Sequence, residues 1–324
     1  MILKLVPKAT GSTGVNISQR LDQGTVVIMD GGTGTEIQRR GVAMDSSVWS
    51  GVAHMVDPDA TREVHEDYIR SGAEVVIANT FAAAQHVLDS KGLGTEFESI
   101  NRRAVELAIE AREQVAASPV WVAGSISSMT PLTALGQTAR GQDLESDYRR
   151  QAEVMAAAGV DLIIAEMMLD HDGTLPVVRA ARSVGLPLWV GFSATVTPKG
   201  RIIGFQPPRF ESIEADDFAD VVGAGLSAGC DVAGVMHSVV GDTGPALALL
   251  AEQWTGPLMA YAETGAFEPP TWRFEEGDPV GYAGAAASWV TEHGVQVIGG
   301  CCGTGPDYIR ALHDRLAGAT VGIP

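Results

Sequence analysis

Gly159-Val160-Asp161-Leu162-Ile163-Ile164-Ala165-Glu166 is a short apolar run, bounded by turn and polar residues, that ends on a single carboxylate. It is too short for a buried helix and lacks the polar alternation of a half-exposed strand, so it reads as a strand covered on both faces. Runs of the same kind occur at Val26–Asp30, Glu74–Asn79, Val120–Gly124, Leu188–Ser193, Asp231–His237, Leu258–Ala262 and Gln296–Gly300. Helical stretches alternate with them at Asp59–Ser71, Phe97–Ala117, Leu144–Ala158, Gly173–Val184, Ala215–Ala228, Pro245–Gln253, Pro279–His293 and Asp307–Leu316. The first of these opens after Pro58, with Asp57 and Asp59 near the positive end of the helix dipole. Eight strands alternating with eight helices predict an α/β fold, the (β/α)₈ TIM barrel. A doubly wound open sheet would use fewer strands and carry a phosphate-binding turn after the first. Asp30-Gly31-Gly32-Thr33-Gly34-Thr35 is glycine-rich but wrongly spaced for that turn.

Composition narrows the function classes. The 324 residues suffice for one large domain, and no repeat, low-complexity tract or internal boundary divides them. Residues 24–324 therefore read as a single barrel domain. Met1–Gln23 reads as an N-terminal extension that packs beneath the barrel or stays mobile. A formal charge of −18 argues against nucleic acid or an anionic membrane surface as partner. No apolar run reaches membrane-spanning length, and the first residues lack the basic-then-apolar pattern of a signal peptide. Three cysteines, two of them adjacent, make no disulfide framework, so a reducing cytoplasm is the expected location. A homo-oligomer is compatible with the sequence but not readable from it.

The polar residues fall at one end of the strands. Asp30, Asn79 with Thr80, Gly124 with Ser125, Glu166, Ser193, His237 and Cys301-Cys302 all stand at predicted C-terminal strand ends. Any one of them alone reads as a turn residue or helix cap. Together they point to the face where barrel enzymes carry their active sites. The adjacent cysteines in Ile298-Gly299-Gly300-Cys301-Cys302-Gly303 are poorly placed to bond each other. They read either as two thiolates facing one soft metal ion, zinc by preference, or as a buried pair of small apolar side chains.

These residues resemble the zinc-dependent homocysteine S-methyltransferase family, which includes the betaine–homocysteine and S-methylmethionine–homocysteine enzymes. The resemblance runs from about Val26 to about Leu316. It is carried by Asp30-Gly31-Gly32-Thr33-Gly34-Thr35 and by Asp57-Pro58 with Val64-His65-Glu66-Asp67-Tyr68-Ile69 and Gly72-Ala73-Glu74. It continues in Asn79-Thr80-Phe81, Ala123-Gly124-Ser125-Ile126 and Gly159 to Glu166, and ends in Ile298-Gly299-Gly300-Cys301-Cys302-Gly303-Thr304. It implies a zinc-dependent methyltransferase, in methionine biosynthesis, acting on a small thiol such as homocysteine and a small methyl donor.

The resemblance also implies a third zinc cysteine at the end of the sixth strand, in a Gly-x-Asn-Cys pattern. Here that stretch is Gly234-Val235-Met236-His237-Ser238, so the implied metal set is His237, Cys301 and Cys302. Cys230 precedes the strand, roughly 23 Å of extended chain away, and is assigned to the core. Replacing a thiolate by a neutral imidazole makes the metal shell less negative, which predicts tighter thiolate binding but a weaker sulfur nucleophile. From this follow an unusually activated donor, another thiol, or the reaction that uses a thiolate as leaving group.

Glu166 with Asp30 is expected to meet the amino group of an amino-acid thiol. The amides of Gly31 and Gly32, and those around Ser125, are expected to hold its carboxylate, with Asn79 also at the substrate. Trp49 and Trp272 are candidate walls for a sulfonium or quaternary ammonium donor. The chain departs from the family at Met167-Met168 and at Glu263-Thr264. Glu263 reads either as a selector of cationic donors or as a solvent-facing residue. His54, His65, His171 and His293 read as surface or structural. Two readings of other kinds are zinc-dependent hydrolysis, with Glu166 or Glu263 as base, and a non-catalytic zinc or redox-sensing barrel.

Overall fold

The structure, a computed structural model, describes residues 16–132, 143–205 and 215–322. Helix α1 (Ile17–Asp22) precedes β1 (Val27–Ile28), and α2 (Thr33–Arg39), α3 (Ala53–Val56) and α4 (Pro58–Arg70) lead to β2 (Val75–Ile77). Then α5 (Gln85–Asp89) and α6 (Phe97–Val115) lead to β3 (Trp121–Ser127), α7 (Leu144–Ala158) to β4 (Leu162–Met168), and α8 (His171–Arg182) to β5 (Leu188–Phe192). A hairpin of β6 (Ala194–Val196) and β7 (Ile202–Gly204) precedes α9 (Phe218–Ser227), β8 (Val232–Val239) and α10 (Val240–Ala251). After β9 (Leu258–Glu263), a second hairpin of β10 (Ala266–Glu268) and β11 (Thr271–Arg273) leads to α11 (Pro279–His293), β12 (Val295–Ile298) and α12 (Pro306–Leu316).

Eight strands form one parallel sheet in the order β1-β12-β9-β8-β5-β4-β3-β2. A parallel bridge between Met29 and Val75 joins its two ends, closing the predicted (β/α)₈ barrel. The side chains of β4 show how it is filled. Leu162 and Ile164 point into the lumen, whereas Ile163 and Ala165 pack outward against the helices. The lumen is packed rather than hollow, with Trp121 and Trp189 among its buried residues. Each large apolar side chain buried there contributes about 1.5–3 kcal/mol. From Ile17 onward the N-terminal extension closes the bottom of the lumen. Ile17 and Leu21 join its core, and Arg20 pairs with Glu74 at 2.9 Å. The first 15 residues of the extension lie outside the described residues.

Aspartates set many of the helix starts. Asp57, Asp143, Asp170, Asp217 and Asp278 each cap a helix by accepting a backbone N–H, a bond worth about 1 kcal/mol. Three starts differ from the sequence reading by more than one residue. Helix α9 begins at Phe218 rather than Ala215, behind its cap Asp217. Helix α8 begins at His171 rather than Gly173, because the capping carboxylate is Asp170. Helix α10 begins at Val240 and holds Pro245 inside it, where proline removes one ladder bond without ending the helix. Both hairpins escaped the sequence reading. Among the described residues no helix is long and apolar enough to cross a membrane.

Candidate active site

Inward-pointing parity places Cys301 in the lumen core, and the backbone fixes the turn that carries both cysteines. The Cys301 amide donates to the Ala262 carbonyl at 2.9 Å, and Thr264 N–H donates to the Cys302 carbonyl at 2.9 Å. Tyr282 Oη donates to the Gly299 carbonyl at 2.8 Å and Tyr68 Oη to that of Thr304 at 3.0 Å. Gly303 has φ +82°, and a Cβ there would stand 1.9 Å from the Thr264 carbonyl oxygen, so only glycine closes this turn.

His237 reaches the cysteines by breaking the strand pattern. Parity sends Met236 into the lumen and would send His237 outward. The β8–β9 register shifts between Met236 and Val239, and His237 takes φ 45°, which turns its ring to the cavity. Its Nδ1 lies 3.6 Å from Cys301 Sγ. Ligand atoms of His237, Cys301 and Cys302 all lie within 4.8 Å of one another. This soft donor set suits zinc. Beside it, Glu263 Oε2 lies 2.9 Å from His237 Nδ1 yet receives no aligned hydrogen bond, leaving a buried carboxylate oxygen available to a cationic centre. Glu263 is therefore buried rather than solvent-facing, and it lines the cavity beside the metal set.

Electrostatics follow from the packing. The Cys302 thiol hydrogen-bonds Cys301 and, with His237, outweighs burial to bring the Cys301 thiol down to about 6. The Cys302 thiol, as the donor beside that thiolate, is pushed well up. Burial opposes the His237 imidazolium, but Glu263 and Cys301 outweigh it and hold the ring well above its ordinary value. Glu166 is pushed up to about 7, chiefly by burial, although it accepts from Ser125 Oγ and, at 3.1 Å, from Tyr261 Oη.

A cavity of about 1050 Å³ opens above this centre. Its charged lining is acidic (Glu166, Asp170, Asp172, Asp216, Asp242, Glu263 and Glu268), and no lysine or arginine is among the described lining residues. An aromatic wall joins Trp49, Phe81, Phe267 and Trp272. Trp49 meets Phe81 edge-on at 6.1 Å, and Phe267 stacks with Trp272 at 6.1 Å. Trp49, Met167 and His237, the described non-glycine residues with positive φ, all line the cavity, so backbone strain gathers where function is expected.

The other sequence candidates are placed as follows. Asn79 lines the cavity, but its Nδ2 donates to the Ser50 carbonyl at 2.8 Å, so it braces the loop carrying Trp49. Asp30 is wholly buried and absent from the cavity lining. Its Oδ2 accepts the Ile77 amide at 2.7 Å, and burial holds its carboxyl well above the usual range. The expected amide nest is not formed by Gly32 and Ser125. The Gly32 amide is donated to the Thr304 carbonyl at 3.1 Å and the Ser125 amide to Thr80 Oγ1 at 2.9 Å. Gly31 and Gly32 do line the cavity, where their lack of side chains admits Thr304 and Cys301 closely. His54 and His65 are buried, Cys230 packs against the outer core, and Trp272 stands in the wall. Tyr261, Phe205 and Phe267 escaped the sequence reading, which quoted Phe81 in a motif without giving it a place in the wall. Alternation along Met259-Ala260-Tyr261-Ala262-Glu263 was the signal that places Tyr261 with Glu263.

Comparison with known proteins agrees with this geometry. The sequence profile of the family described as Homocysteine S-methyltransferase matches residues 27–316. Homocysteine S-methyltransferase 3 of Arabidopsis thaliana is 26% identical, over 91% of this chain and 90% of its own. The S-methylmethionine–homocysteine S-methyltransferase BHMT2 of Rattus norvegicus is 28% identical, over 93% of this chain and 81% of its own. The metallated form of the homocysteine methyltransferase MmuM from Escherichia coli superposes with a TM-score of 0.71 at 24% identity, over 91% of this chain and 98% of its own, a likeness of fold.

Proposed function

Because the chain belongs to the homocysteine S-methyltransferase family and is a methyltransferase, we propose that it moves a methyl group from a small cationic donor, of the sulfonium or betaine-like class, to a thiol such as homocysteine. The observation that carries this reading is the convergence of His237, Cys301 and Cys302 within 4.8 Å at the floor of an acidic, aromatic-walled cavity. Zinc held by these three side chains would act as a Lewis acid that keeps an incoming thiol deprotonated.

The remaining roles belong to the chain's own residues. Glu166, steadied by Ser125 and Tyr261, is placed to receive the ammonium group of an amino-acid thiol. An ammonium there would favour the carboxylate form that burial otherwise disfavours. Asp30, behind the wall, braces the β1–β2 junction through the Ile77 amide. Trp49, Phe81, Phe267 and Trp272 would hold a cationic donor by cation–π contact, and the acidic lining would concentrate it. With both reactants held, the sulfur lone pair forms the new S–CH₃ bond as the donor–CH₃ bond breaks, and the donor leaves with that electron pair. Alignment for this in-line displacement is the main catalytic contribution. A reducing compartment, which keeps Cys301 and Cys302 as thiols, suits this chemistry.

Metal analysis combined with a donor screen tests the reading, following loss of free thiol with homocysteine and other small thiols. One equivalent of zinc and turnover with a sulfonium or quaternary ammonium donor is the expected result. Turnover confined to a methylated pterin would reassign the donor. A metal-free protein inactive with every pair would overturn the proposal.

A further inference from the structure

Glu263 is 7% exposed, and no lysine or arginine shares the described cavity lining with it. A carboxylate in such a place is costly unless a positive or hydrogen-bonding group answers it. The group at hand is His237, with Nδ1 2.9 Å from Oε2. The position of Glu263 is also locked to the cysteines. The residue before it accepts the Cys301 amide through its carbonyl, and the residue after it donates its own amide to Cys302, each at 2.9 Å. The β8–β9 pairing sets Val239 opposite Glu263 just beyond the register shift that turns His237 inward. The backbone thus holds imidazole, carboxylate and both thiols in one rigid group.

We propose that Glu263 is the positioning and charge partner of His237, so that an imidazole–carboxylate pair serves this centre in place of a third thiolate. Two thiolates and a neutral imidazole would leave the shell around a divalent ion neutral. The adjacent carboxylate restores a negative charge without occupying a ligand place. In this arrangement Nε2 is the ligating atom and Nδ1–H is kept for Oε2, 2.9 Å away; a carboxylate on the non-ligating nitrogen orients the ring and raises its basicity. The sulfur nucleophile then need not be weakened by the loss of the third cysteine, contrary to the expectation from the ligand types alone. This inference rests on the metal centre proposed above.

The test is a zinc-affinity cycle on the full chain, by competition with a chromophoric chelator, in wild type, Glu263→Gln, His237→Cys and the double variant. Glu263→Gln is expected to weaken zinc about 10–100-fold in the wild-type background. In the His237→Cys background the same change should alter affinity by no more than about twofold, or strengthen it, since the carboxylate then faces a thiolate. Equal losses in both backgrounds would overturn the proposal. Cobalt(II) substitution supplies a second readout: unchanged ligand-field bands in Glu263→Gln are expected, and a shift would make the carboxylate itself a ligand and refute the positioning role. Glu263→Asp, which keeps the charge, should lose less affinity than Glu263→Gln, and an equal or greater loss would count against the charge argument. A wild-type protein that binds no zinc would instead refute the metal centre itself.

Discussion

Replacing Glu166 by glutamine removes a carboxyl that burial keeps protonated up to about pH 7, and the effect on stability should depend on pH. Burial raises its folded-state pKa from an ordinary 4.5 to about 7. For an acid raised on folding, the unfolded state ionises first as pH rises. The stabilisation is therefore fully present below about 4.5 and is lost as pH climbs through about 7. Glutamine mimics the protonated form at every pH. At about 1.4 kcal/mol per pKa unit, ionisation costs the wild type about 1.4 kcal/mol at pH 5.5 and about 3.4 kcal/mol at pH 8.5. The stability of Glu166→Gln relative to wild type should thus increase by about 2 kcal/mol over that interval. Urea denaturation of chelator-treated protein at the two pH values measures the change. A gap independent of pH would refute the assignment of Glu166 as an acid whose ionisation burial displaces upward.

Gly303→Ala places a Cβ 1.9 Å from the Thr264 carbonyl oxygen at a residue with φ +82°. It should cost at least about 1–3 kcal/mol in thermal unfolding and reduce bound metal together with stability. Wild-type stability with full metal content would contradict the role given to this turn. Trp49→Ala should raise the KM for a cationic donor about 2–30-fold and leave the thiol KM unchanged, as steady-state kinetics would show. In metal-free protein, alkylation of Cys301 should accelerate with a midpoint at about pH 6, and His237→Ala should move that midpoint upward. Cys302→Ser should abolish stoichiometric metal binding by elemental analysis, and one retained equivalent would exclude Cys302 as a donor.

Much of the architecture was legible because strand and helix patterns are local. Continuous apolar runs such as Leu162 to Ala165 require cover on both sides, and eight of them alternating with helices leave few arrangements. The hairpins β6–β7 and β10–β11 were not legible, since two three-residue strands carry too little pattern to register. They matter to the cavity, because Phe267 and Trp272 stand on the second of them.

By itself, the sequence determined the barrel, the end of it that carries the polar residues, and the cysteine pair as a soft-metal candidate. Those conclusions follow from residue type and from the period of two along each strand. The tertiary structure alone decided how His237 and Glu263 are used. Strand parity sends Met236 to the lumen and His237 away from it, and only the register shift with φ 45° reverses that direction. Glu263 is far from Cys301 along the chain, and the parallel pairing of the seventh and eighth barrel strands makes them neighbours. Charge around the metal set depends on that through-space contact, which no spacing along the chain encodes.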